Sequence, residues 1–108
     1  MTKTIRVAVP GPFPEPLDYL VPLRTPLPPR GSRVRVPLGR RELVAVVTAA
    51  PTTSNLPSDR LRAIITVLDD EPLLDEETTS LIEWAAHYYH HPPGDAYLAA
   101  LPVRLRQG

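Results

Sequence analysis

The side chains best equipped for chemistry in this chain are its arginines. Eleven of the twelve basic residues are Arg, and six of them fall between Arg24 and Arg41. A guanidinium presents five N–H donors in a planar fork that matches the oxygens of a phosphate. Residues 1–66 carry ten Lys/Arg against four Asp/Glu, a net of +6, and residues 67–108 carry two against eight, a net of −6. The formal charge of zero therefore conceals a basic body followed by an acidic segment. A basic body of this kind suits a polyanion, with nucleic acid the first candidate. The plainer reading is a solvated basic face with no specific partner.

Two short motifs add to the arginines. In Pro16-Leu17-Asp18-Tyr19-Leu20-Val21-Pro22 a carboxylate stands inside an apolar run beside an aromatic ring. In Arg33-Val34-Arg35-Val36-Pro37-Leu38-Gly39-Arg40-Arg41 a glycine allows close backbone approach by a ligand, and the flanking arginines can hold phosphates. Plainer readings exist for both: a satisfied turn or edge aspartate, and a hairpin glycine with solvated arginines. His87, His90 and His91 share a helix face at i, i+3 and i+4, a spacing that zinc can use, but no cysteine accompanies them. Helix C-terminal histidines favoured by the dipole explain them more simply, so no metal ligand is assigned. Ser80, His87 and Asp95 can be combined into a triad only on paper. With no nucleophile elbow and no paired carboxylates, no catalytic residue is assigned and the chain reads as non-enzymatic.

These side chains need elements to position them. Five segments read as short strands: Ile5–Val9, Leu17–Val21, Arg33–Leu38, Leu43–Thr48 and Arg62–Leu68. In the third, strict alternation places Val34, Val36 and Leu38 inward and two arginines outward. The fourth is uniformly apolar and reads as central, and Gly39-Arg40-Arg41-Glu42 is the hairpin connection between these two. The period then changes. Leu74, Leu81, Ile82, Ala85, Tyr88 and Tyr89 fall on one helical face, with at least one of the two tyrosines expected in the core. Asp75 reads as the N-cap, Glu76 and Glu77 suit the first turn, and Pro92-Pro93 stops the helix. A shorter helix is expected over Asp95–Leu101. The fold class is mainly β with C-terminal helices (α+β): a small OB-like barrel or curled sheet, then one long and one short helix.

The chain has 108 residues, fifteen prolines and no cysteine. That is the size of one domain able to bury a core without disulfides. Its start, Met-Thr-Lys-Thr-Ile-Arg-Val, lacks the apolar stretch of a signal peptide, and no run is long enough to span a membrane. A cytoplasmic setting is expected. The uncapped ending at Arg104-Leu105-Arg106-Gln107-Gly108 reads as a point inside a longer protein.

Taken together and in order, five segments are more specific than any one of them. They are Leu17-Asp18-Tyr19-Leu20-Val21-Pro22, Val34 to Arg40, Val67-Leu68-Asp69-Asp70-Glu71-Pro72, Trp84 to Asp95, and the closing Leu101-Pro102 with Leu105 to Gly108. This sequence resembles the N-terminal DNA-binding domain of the PriA family, the bacterial replication-restart helicases, over essentially its whole length. The resemblance implies a single DNA-binding domain over 1–108, with a β-rich body over 1–70 and an acidic helical segment over 71–108. It implies binding of the 3′ end of the nascent leading strand, with a free 3′-OH, at stalled forks and D-loops. It further implies a bacterial cytoplasmic protein whose other domains use ATP, magnesium and structural zinc, while this domain needs no cofactor. Those other domains, primosome proteins and single-strand-binding protein are the partners it implies. Carried onto this sequence, the family's end-binding pocket falls on Leu17, Asp18 and Tyr19, then Gly39, then Arg62. Leu17 stands where the family often has an aromatic, and Arg62 where it often has Lys. Arg40, Arg41, Arg33, Arg35 and Arg62 are the candidates for phosphate attraction. A different class of function is docking of the parent helicase or primosome partners through the acidic helix, by the Asp75–Glu83 surface.

Overall fold

At the start of the chain the alternation of Ile5, Val7 and Val9 with polar or small residues puts all three side chains on one fully buried face, with Val9 just past the end of the first strand. A computed structural model describes residues 3–54, 56–57 and 60–108 of the chain. Its strands are β1 (Lys3–Ala8), β2 (Leu17–Val21), β3 (Arg33–Leu38), β4 (Arg41–Thr52) and β5 (Thr66–Val67). They form one antiparallel sheet in the order β2-β1-β4-β3-β5. Two helices, α1 (Glu76–Tyr88) and α2 (Pro93–Ala100), and a short 3₁₀ turn over Val103–Gln107 complete the chain.

β4 is the central strand, and its uniform apolarity has a physical cause: both its faces are covered. Ala45 and Val47 join Ile5, Val7, Val9, Tyr19, Val21, Val34, Val36 and Ile64 inside the curl of the sheet. Val46 faces the other way and packs with Ala8, Tyr97, Leu98 and Leu101 under α2. Each such valine, fully buried, contributes about 1.5–3 kcal/mol over its exposed state. The connection from β3 to β4 is a two-residue turn, with Leu38 paired to Arg41 and Gly39 at φ 60° as the first central residue.

The sheet is curled but not closed. The expected fifth strand over Arg62–Leu68 is split between two partners. Ala63 forms a single parallel bridge to Leu20 on β2, whereas Thr66 and Val67 pair with β3. One segment spanning the gap between two sheet edges cannot keep a continuous ladder with either, so its regular strand shrinks to two residues.

Asp75 caps α1, its carboxylate accepting from the Thr78 N–H at 2.8 Å. His90 at φ 55° ends it, and the His91 N–H turns back to the Ala86 carbonyl at 2.8 Å. Pro92-Pro93 then serves a second purpose, because Pro93 is the first residue of α2, two residues ahead of the expected start. The apolar stripe expected to be core is only partly so: Leu74 and Ile82 pack against the cluster under α2, whereas neither tyrosine does. Tyr88 and Tyr89 are 62% and 64% exposed, and Leu81 and Trp84 are exposed beside them. The face of α1 that is buried carries Thr79 and Ala86, small enough to let the helix lie close to α2, with Tyr97 donating to the Thr79 carbonyl. Trp84 and Tyr88 stack at 5.1 Å and satisfy one another in solvent instead.

Candidate nucleic-acid interface

β2 brings Leu17, Asp18 and Tyr19 to one mouth of the curled sheet, and the β3–β4 turn brings Gly39 to the same place. A cavity of about 210 Å³ there is lined by Leu17, Asp18, Tyr19, Pro37, Leu38, Gly39, Leu56, Arg60, Leu61 and Arg62. The five residues that the resemblance assigns to an end-binding pocket thus line one cleft. Next to it, a second cavity of about 470 Å³ is lined by Pro37, Gly39, Arg40, Arg41, Glu42, Arg62, Ala63 and Ile65. Pro37, Gly39 and Arg62 belong to both, and form the divide between them.

Each wall is fixed by a specific bond. Tyr19 is 4% exposed, and its hydroxyl donates to the Pro37 carbonyl at 2.8 Å, tying β2 to the end of β3. Burial pushes its phenol above the usual tyrosine range, with the Arg62 charge pulling part of the way back. Its ring is therefore a wall of the cleft, not a free stacking platform. Arg62 donates from Nη1 to the Gly39 carbonyl at 3.0 Å, which fixes the guanidinium over the turn and leaves its other N–H groups for a ligand. The backbone of the same segment is held by the Leu20 N–H on the Arg62 carbonyl, 2.9 Å. Leu17, Leu38, Leu56 and Leu61 supply the apolar part of the lining.

Asp18 is not the solitary carboxylate that its sequence neighbours suggest. Arg6, its neighbour across the β1–β2 ladder, donates from Nε to Asp18 Oδ1 at 3.0 Å. Sequence reasoning also missed Leu56, Arg60 and Leu61, which carry no motif. Arg6 alone had a signal, the period-2 partnership with Asp18 that appears once β1 and β2 are paired.

The arginines divide into two sets. Arg40 and Arg41 are exposed at the hairpin tip, and among the described residues neither forms an ion pair. Arg33, expected to face outward toward phosphates, is instead buried against Asp69. Nε and Nη2 donate to its two carboxylate oxygens at 2.9 Å each, and Nη1 donates to the Leu105 carbonyl. Arg35 donates to the Gln107 carbonyl at 3.3 Å. Arg30 is held by Glu76 and Glu83 of α1. Part of the acidic helix surface therefore meets the chain's own body.

A larger cavity, about 600 Å³, lies away from the cleft between Pro12, Pro14 and Pro16 and the junction of α1 with α2. His87, His90 and His91 line it, but among the described residues no three His, Asp or Glu side chains converge as metal ligands. Asp95, the third member of the paper triad, is engaged by the Gly11 N–H at 2.9 Å. The cleft, with its bonded walls and arginine rim, is the better-built site. No helix of the described residues is long and apolar enough to cross a membrane.

A comparison with protein families matches residues 6–102 to the 3′ DNA-binding domain of PriA. The replication restart protein PriA of Haemophilus influenzae is 43% identical over 98% of this chain. That of Treponema pallidum is 34% identical over 71% of it, and that of Buchnera aphidicola from Acyrthosiphon pisum 26% over 94%. The chain spans 12–14% of the length of these relatives.

Proposed function

The chain belongs to the PriA 3′ DNA-binding domain family, and on that premise we propose that its cleft receives the terminal nucleotide of a DNA 3′ end. The observation that carries this reading is the convergence of Leu17, Asp18, Tyr19, Gly39 and Arg62 on one cavity beside the arginine-lined groove. The terminal base packs against the leucines, a contact of the kind worth about 1–3 kcal/mol per base when an aromatic supplies it and less here. Asp18 accepts from the terminal hydroxyl. Arg62, Arg40 and Arg41 attract the preceding phosphates without regard to sequence. The chemistry asks for no metal or nucleotide cofactor from this chain. The strand end in question is that of the nascent leading strand at a stalled fork or D-loop, where the domain positions the rest of a longer restart protein.

The experiment is fluorescence anisotropy with matched oligonucleotides ending in 3′-OH or 3′-phosphate, at two salt concentrations. Tighter binding to the 3′-OH end, persisting at higher salt and lost in Asp18→Ala, is the expected result. Equal binding to both ends that vanishes with salt would leave a basic surface and no end recognition.

A second reading is favoured by the exposed strip Leu81, Trp84, Tyr88 and Tyr89 on α1. It is that this helix seats other domains of the longer protein. Trp84→Ala would then leave end binding by the isolated chain unchanged.

A further inference from the structure

Arg6 does more than neighbour Asp18. Its Nε donates to Asp18 Oδ1 at 3.0 Å, and its Nη2 donates to the Thr53 carbonyl at 3.2 Å. Thr53 precedes the segment that supplies Leu56, Arg60 and Leu61 to the lining of the cleft. One guanidinium thus bridges the carboxylate and the backbone ahead of that segment. The β1–β4 register is irregular on both sides of Arg6, between Thr4 and Arg6 and again between Arg6 and Val7. Irregularities of this kind re-aim a side chain out of its regular position. The Arg6 side chain remains 40% exposed and Asp18 17%; Asp18 lines the cleft, and Arg6 stands directly beside it.

We propose that Arg6 is a specificity-determining residue of the cleft, setting how strongly Asp18 separates a 3′-hydroxyl from a 3′-phosphate end. The proposal rests on the end-binding reading above. A hydroxyl has one proton to donate and lone pairs with which to accept. Asp18 beside Arg6 offers an acceptor and a donor together, which matches it. A terminal phosphate brings only acceptors and a charge of about −1.5 to −2 at neutral pH. Against Asp18 alone it would meet full repulsion, whereas against the pair it meets a carboxylate largely cancelled by the guanidinium. Arg6 therefore moderates the exclusion of phosphate-bearing ends while completing the partner set for hydroxyl.

The test measures affinity for matched 3′-OH and 3′-phosphate oligonucleotides with the whole 108-residue chain and its variants. Arg6→Met leaves Asp18 uncompensated and should raise the preference for the hydroxyl end about three- to tenfold, mostly by weakening the phosphate end. Arg6→Gln removes the charge while keeping an N–H donor, and should move the preference the same way should the methionine variant fail to fold. Arg6→Lys keeps the charge and should stay within about twofold of the parent ratio. Asp18→Asn, with Arg6 intact, should shift the preference toward the phosphate end. A bracing role alone would weaken both ends equally in Arg6→Met and Arg6→Gln and leave the ratio unchanged, and that result overturns the proposal. If Asp18→Asn shifts the ratio and the Arg6 variants do not, this inference fails while the end-binding reading stands. If Asp18→Asn and the parent show the same ratio of one, both fail.

Discussion

Arg33 and Arg40 lie on one β-hairpin, yet the chain uses them for opposite purposes. Arg33 starts β3 under the acidic C-terminal segment, where it and Asp69 are 10% and 11% exposed and bonded through both oxygens. Arg40 sits at the tip, about 20 Å further along the strand at its usual rise, with its head in solvent. The difference shows that a charge count overstates the charge available to DNA. Residues 67–108 return three carboxylates to the body, Asp69 to Arg33 and Glu76 and Glu83 to Arg30. Of the arginines outside those ion pairs, Arg40, Arg41, Arg60 and Arg62 stand at the hairpin tip and around the cleft.

The comparison depends on the acidic segment being seated firmly, and the largest expected effect tests that. Gly94 opens α2 against the end of β1. A Cβ built on it would lie 1.8 Å from the Val9 carbonyl oxygen, which is backbone and has little room to move. Gly94→Ala should therefore cost about 3 kcal/mol or more and lower the melting temperature by about 12 °C or more. A circular-dichroism melt decides it. An unchanged melt would mean that α2 does not pack on Val9, and the shelter over Arg33 would go with it.

Arg33→Ala comes next. Removing one partner leaves Asp69 buried without its cation, at a cost of about 3 kcal/mol. Urea unfolding should show that loss, whereas DNA affinity and its salt slope at a temperature where the variant is folded should not change. A falling salt slope would mean that Arg33 reaches phosphate after all. The pair also carries a pH signature. Burial pushes the Asp69 carboxyl up, but the hydrogen bonds from the Arg33 side chain and backbone and its charge outweigh burial and hold it below the ordinary 3.8. A carboxyl lowered by folding adds stability that is present above its unfolded value and is lost as pH falls through the folded one. The parent should lose this contribution below about pH 4, and Arg33→Ala should lack that part of the acid limb.

How much of this is legible in the sequence follows the same division. β2 and β3 are legible to the residue, because alternation and proline boundaries mark a strand buried on one face. Asp75 is legible as a cap, because capping is a local bond. The fate of Arg33 is not legible, since its partner lies thirty-six residues on and only the fold brings the two together. The exposed stripe of α1 misleads for a related reason. Periodicity marks a face but does not say whether that face meets the body, and here Thr79 and Ala86 make the close approach while the large rings stay outside. At the cleft, the residues within a motif can be found from the sequence and those supplied by the loop before Arg62 cannot, because a loop that lines a site needs no pattern of its own.

The smallest change in stability belongs to the tip, and it is the most informative about DNA. Arg40→Ser with Arg41→Ser removes two exposed cations that form no ion pair among the described residues. Unfolding should stay within about 0.5 kcal/mol of the parent. For single-stranded DNA, every phosphate that the protein ceases to neutralise lowers the slope of log affinity against log salt by about 0.7, so the double variant should fall by about 1.4 if both arginines reach phosphate. A fall of about 0.7 would assign that role to one of them. An unchanged slope would move phosphate neutralisation to Arg60 in the cleft and Arg62 at the divide, and would confine the DNA to the cleft itself. In either case the ratio of affinities for 3′-OH and 3′-phosphate ends should not change, because in the proposed binding mode the tip arginines act on the strand behind the terminus while Asp18 and Arg6 act on the terminus.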